Sequence, residues 1–132
     1  MRFCAVSVAL ACMLLSTGAL AEQPKLKDYR AAYDECQKNS ASAGPTAMVD
    51  ECAEYVANET KHEMNALYKS IHDQLQSKSP EDADEFDKAQ KSWLAYRKAH
   101  CDLAGKYVGS PMFLVCPMDL DIERIDQLRQ LK

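Results

Sequence analysis

The sequence predicts an all-α fold: a small bundle of about four helices, two of them long and antiparallel, with short helices at the N- and C-terminal ends. Three observations predict it. Apolar residues recur at three- and four-residue spacing, and no strand pattern competes with them. Gly, Pro and Ser interrupt that pattern at only a few places. Four of the cysteines flank two of the interruptions in pairs, so two disulfides are expected to staple the bundle.

The chain opens with MRFCAVSVALACMLLSTGALA, a single basic residue, an apolar run and then Ala19-Leu20-Ala21. That is the pattern of a secretory signal peptide over residues 1–21, with cleavage after Ala21. Lipoprotein processing at Cys12 is the rival, but Ala9 and Leu10 suit it poorly and the apolar run continues past the cysteine. Removing 21 of 132 residues leaves 111, residues 22–132, a length that suits one domain.

The first helix is expected over about Lys25–Lys38, from the spacing of Tyr29, Ala32, Tyr33 and Cys36. SASAGPT breaks it. The second runs from about Ala47 to Ser77 with Thr46 as its N-cap, and carries a stripe of Val49, Cys52, Val56, Met64, Leu67, Tyr68, Ile71 and Leu75 that Thr60 interrupts. The third has the clearest start: Ser79 to cap, Pro80 at the first helical position, then acidic residues where the helix dipole favours them. It is expected to run to Ala104 and stop at Gly105. GKYVGSPMFLVCP then reads as an irregular connection, and a last helix covers about Met118–Leu131.

Short breaks between long helices make antiparallel neighbours. Cys36 and Cys52 lie nearly equidistant from the Gly44 turn, and Cys101 and Cys116 bracket Tyr107–Val108 in the same way. The pairs Cys36–Cys52 and Cys101–Cys116 follow. Each closes a loop of about 15 residues, contributing about 3 kcal/mol on the loop-entropy account. An even count in a small exported domain reads as structural cysteine.

Composition narrows the function. Without Arg2, fifteen basic residues face twenty acidic ones, a net charge of −5. That balance disfavours nucleic acid and anionic membrane as partners and suits a cationic one. His62, His72 and His100 do not pair at i, i+4, and oxidised cysteines offer no thiolate, so neither a metal nor another cofactor is expected. There is no Gly-x-Ser-x-Gly elbow, and no free cysteine is expected beside a histidine; no catalytic residue is nominated.

One stretch stands apart: AQKSWLAYRKAHC, residues 89–101. At about 100° per residue, Gln90, Trp93, Arg97 and Cys101 share a stripe about 80° wide. A polar group in an apolar seam must be hydrogen-bonded or costs several kcal/mol. The expectation is a core network in which Asn65, beside Tyr68 on the second helix, hydrogen-bonds Gln90, Arg97 finds a carboxylate or loop carbonyls, and its guanidinium can lie over Trp93. The alternative is that Arg97 snorkels, its stem on the seam and its head in water.

These residues resemble the LprI-type lysozyme-inhibitor family over nearly all the chain after residue 21. The resemblance rests on Tyr33-Asp34-Glu35-Cys36, on Cys52, on Met64-Asn65-Ala66-Leu67-Tyr68, and above all on Gln90-x-x-Trp93-x-x-Tyr96-Arg97-x-x-x-Cys101. Gly109-Ser110, Cys116 and Arg124 complete it. Met64 replaces the family's usual leucine, and Lys61 stands where an acid often precedes the Leu-Asn pair. If that acid pairs with the arginine elsewhere, Arg97 needs another partner here.

The resemblance implies an exported helical module that acts by binding, with lysozyme inhibition as its function. On that reading the protein is periplasmic or secreted, and its partner is a cationic lysozyme or another envelope protein. The acidic segment Glu81, Asp82, Asp84, Glu85 and Asp87 would steer a basic enzyme. The apolar segment around Tyr107, Met112 and Phe113 is either an inserted element, preorganised by the Cys101–Cys116 bridge, or a lid packed over the end of the bundle. The alternative function is a non-enzymatic structural or stress module with some other protein partner.

Overall fold

The computed structural model describes residues 26–40 and 44–132. Within them the chain forms four helices and no strand: α1 (Tyr29–Asn39), α2 (Pro45–Lys78), α3 (Pro80–Tyr107) and α4 (Met112–Arg129). The segment expected to be a signal peptide, with Cys4 and Cys12, lies outside the described residues.

Local chemistry sets most boundaries. Asp28 caps α1, its carboxylate accepting from the Ala31 N–H at 3.0 Å, so the helix starts at Tyr29. The cap expected of Thr46 is not used. Pro45 takes the first position of α2, where its missing N–H leaves nothing unsatisfied, and Gly44 precedes it at φ +88°, a conformation that favours glycine. Ser79 serves two helices at once. Its N–H closes α2 on the Leu75 carbonyl at 2.7 Å, and its hydroxyl accepts from the Asp82 N–H at 3.4 Å to open α3. That shared residue makes α2 and α3 the long antiparallel pair.

The corner between α3 and α4 departs from expectation. Gly105 does not end α3; the helix continues to Tyr107. Glycine is needed there for space, since a Cβ would lie 2.3 Å from the Phe113 ring. The segment expected to be irregular is largely helical, and α4 begins at Met112 rather than Met118. Pro111 starts it, its carbonyl accepting from Leu114 and Val115 at 3.1 and 2.9 Å. Pro117 reads as a breaker in sequence but falls in the second turn, where it deletes one hydrogen bond from a helix already started.

The core forms where α2 meets α4. Ala53, Val56, Met64, Leu67 and Ile71 of α2 face Met118, Ile122, Ile125 and Leu128 of α4, with Tyr29 and Phe86 added from α1 and α3. Ile125 and Leu128 are wholly buried, each stabilising the fold by about 1.5–3 kcal/mol. Thr60 does not interrupt this seam. It is fully buried, and its hydroxyl donates to the Ala57 carbonyl at 3.0 Å. The disulfides are Cys36–Cys52, with Cα atoms 5.7 Å apart, and Cys101–Cys116 at 5.5 Å, the pairs that the antiparallel geometry predicts. One ties α1 to α2 and the other α3 to α4.

Candidate partner-binding surface and the network beneath it

The stripe of α3 that joins polar and apolar side chains is mostly turned inward, but its partners come from α4 rather than α2. Gln90 is buried, and its carbonyl accepts from Arg124 Nε at 2.9 Å. Asn65 is exposed, so the hydrogen bond expected between Asn65 and Gln90 is replaced by the one from Arg124. Arg124 takes the Gln90 carbonyl, and among the described residues the Gln90 NH2 group makes no hydrogen bond to Asn65. The same guanidinium lies over the half-buried Trp93 ring, 5.7 Å from its centroid, the place expected for Arg97.

Arg97 instead reaches Asp121. Nη2 donates to Oδ2 at 2.7 Å and Nε lies 2.6 Å from Oδ1, although those last two atoms make no well-angled hydrogen bond. The Asp121 side chain is 2% exposed and that of Arg97 28%. A carboxylate is therefore the partner, as one expectation had it, and the head of Arg97 is not free in water. Burial pushes the Asp121 carboxyl above its usual range, and the attraction of Arg97 only partly offsets it. Asp121 was missed in the sequence. Its signal was an acid at the inward position between Met118 and Ile125 on the apolar face of α4.

A second ion pair was also missed. Arg129 holds Glu63 through Nε at 2.8 Å and Nη2 at 3.0 Å, and Tyr29 donates to the same carboxylate at 2.7 Å. Tyr68, expected in the core network, is half-buried, stacks on Phe86 at 5.5 Å and donates its hydroxyl to Asp87.

The residues nominated for partner binding fall into two places. Glu81, Asp82, Asp84 and Glu85 are exposed in the first turns of α3, while Asp87 is half-buried and engaged by Tyr68 and Lys91. Tyr107 closes the same helix 26 residues on, about 39 Å away along the axis. The acidic segment and the apolar segment therefore do not form one compact site.

The apolar end is packed in part, with Val115 against the core, and otherwise faces outward. Tyr107 is 84% exposed and Val108 75%, and Phe113 stays half exposed with one face against Gly105, while Met112 is half-buried. The surface also extends up α3. Tyr96 and Leu103, 52% and 54% exposed, align with Tyr107 at i, i+7 and i+11, and His100 stacks on Tyr96 at 5.4 Å. That spacing is readable in the sequence, yet only Tyr107 had been singled out. The result is an apolar and aromatic stripe on one helix, a kind of surface that marks interaction sites. Its lower end is fixed by the Cys101–Cys116 bridge, which packs inward from the same turns.

The fold and the residue block together define a disulfide-stapled helical module with an exposed apolar stripe. The sequence model of the lysozyme inhibitor LprI family matches residues 36–128, and the chain belongs to that family. The matched span runs from the first disulfide cysteine to Leu128 in the last helix. No curated protein and no solved structure matches the chain. Among the described residues, no helix is long and apolar enough to cross a membrane.

Proposed function

We propose that this protein is an exported inhibitor of lysozyme in the cell envelope, acting by binding and not by catalysis. The observation that carries the reading, beside the family, is the exposed stripe of Tyr96, Leu103 and Tyr107 on a stapled helix end. Tyrosine and leucine already held on a helix lose little freedom on docking, so the contact they make is not spent on ordering the surface. The acidic turns at Glu81–Glu85 begin about 16 Å along α3 from Tyr96, the near end of the stripe. Their role is to raise the rate at which a cationic enzyme is met.

Turbidity of suspended cell walls under a c-type and a g-type lysozyme, with oxidised protein titrated in at two salt concentrations, tests the reading. Stoichiometric inhibition is expected. Leu103→Asp together with Tyr107→Ala should abolish it without unfolding the chain, since both side chains are exposed. Glu81→Lys with Asp84→Lys should slow association and reduce its salt dependence. Inhibition that survives the stripe variant would remove the stripe from the contact. No inhibition by micromolar protein would remove lysozyme, leaving a structural or stress module with another envelope partner.

A further inference from the structure

The face of α3 opposite the stripe lines a groove of about 590 Å³ between α2 and α3. Leu94 belongs to this groove although it is only two positions from Tyr96, because two residues turn a helix by about 200°. The groove and the stripe are thus separate surfaces. Its size falls within the range of small-molecule sites, which are mostly apolar with a few convergent polar groups.

The lining has that composition. Ala57, Met64 and Leu94 supply apolar wall, and the carboxamides of Asn58, Asn65 and Gln90 are spread along it. The Gln90 carbonyl is taken by Arg124, which leaves its NH2 group as a donor. At the floor, Asp121 occupies the Nε and Nη2 side of the Arg97 fork, and Nη1 has no hydrogen-bond partner among the described residues. Lys91 is matched by Asp87. Lys61 makes no ion pair among the described residues, although its charge acts on Asp121. Three cations against two carboxylates give the groove a net charge of +1, in a chain whose overall charge is −4.

We propose that this groove is a binding site for a short peptide with a free carboxylate, the carboxylate at Lys61 and Arg97 and the backbone along the three carboxamides. A single acid matches the one unbalanced cation. Repeated amides favour a ligand with hydrogen-bonding groups along its length over a plain acyl chain, which would leave the carboxamides desolvated and unpaired. The site does not depend on the lysozyme reading, and neither result decides the other.

Amide chemical shifts of isotope-labelled, oxidised protein, processed by its own cell, would be followed against three probes: acetyl-trialanine, acetyl-trialanine amide and octanoate. Saturable shifts at Met64, Asn65, Gln90 and Leu94 are expected with acetyl-trialanine, weaker with its amide and weaker with octanoate. Lys61→Gln, a change at an exposed residue, should weaken acetyl-trialanine binding about threefold to fivefold. Absence of saturable shifts at these residues would overturn the proposal. So would equal binding of acid and amide, indifference to Lys61→Gln, or a preference for octanoate.

Discussion

Among the described residues two part-buried arginine–carboxylate pairs cross this small bundle, and their carboxylates respond to it in opposite ways. Glu63 is held by two nitrogens of Arg129 and by the Tyr29 hydroxyl, and its side chain keeps 25% of its exposure. Burial pushes its pKa up, but those hydrogen bonds outweigh the push and the net displacement is downward. Asp121 has one well-formed hydrogen bond from Arg97 and almost no exposure, and its pKa is displaced upward by burial. A positive partner is common to both. What differs is how many hydrogen bonds reach the charged form and how much water remains, which are separable causes.

The largest expected effect comes from breaking the more buried pair on one side. Arg97→Ala should destabilise the protein by about 3–5 kcal/mol in denaturant unfolding, because Asp121 would be left buried without its counter-charge. A loss under about 1 kcal/mol would mean that the ion pair is dispensable and that water reaches Asp121. Replacing both members with apolar residues, Arg97→Met with Asp121→Leu, should cost much less than Arg97→Ala, and by the same principle could be neutral. If the double replacement is as damaging as the single one, the pair contributes more than its own desolvation consumes.

The pH dependence tests the contrast in sign. The Glu63 contribution is present above its unfolded pKa of about 4.3 and is lost as pH falls through its lowered folded value. Glu63→Gln should therefore flatten the loss of stability below about pH 4. Asp121 works the other way: its folded pKa lies above the unfolded value of about 3.9, so acidification through that interval favours the fold. Asp121→Asn should remove this opposing slope and make the acid loss steeper, whatever it does to stability at neutral pH. Slopes of unfolding free energy against pH for the parent and both variants would check the two signs together.

The smallest effect sharpens the account of the network. Asn65→Ala should change stability by no more than about 0.5 kcal/mol, as for an exposed side chain without a structural partner. A cost above about 1 kcal/mol would return Asn65 to the network with Gln90.

Much of the fold was legible because it is written locally. Ser79-Pro80 announces a helix start, and the equal reach of Cys36 and Cys52 from Gly44 selects their pairing. Inward-facing positions on α3 were legible too, since periodicity reveals which side is buried. The identity of the facing helix was not, because periodicity says nothing about neighbours: Gln90 was matched to Asn65 of α2 and Arg97 to a carboxylate or loop carbonyls on no named helix, whereas Arg124 and Asp121 of α4 engage them. The corner failed for another reason. Gly105, Pro111 and Pro117 resemble breakers, and only the Phe113 ring seated on Gly105 explains why the helix runs on. The exposed stripe was half legible, as Tyr96, Leu103 and Tyr107 carry helical spacing that in isolation reads as core.

The seat of Phe113 on Gly105 has a consequence for how such a chain can drift. Two positions eight apart in sequence hold complementary amounts of matter, one with no side chain and one with a full ring. A methyl group gained at the first must be matched by a smaller residue at the second, or the two helices must part against the Cys101–Cys116 bridge. Positions 105 and 113 are therefore expected to change together across descendants of this sequence, while Val108 between them, mostly in solvent, is left to vary alone.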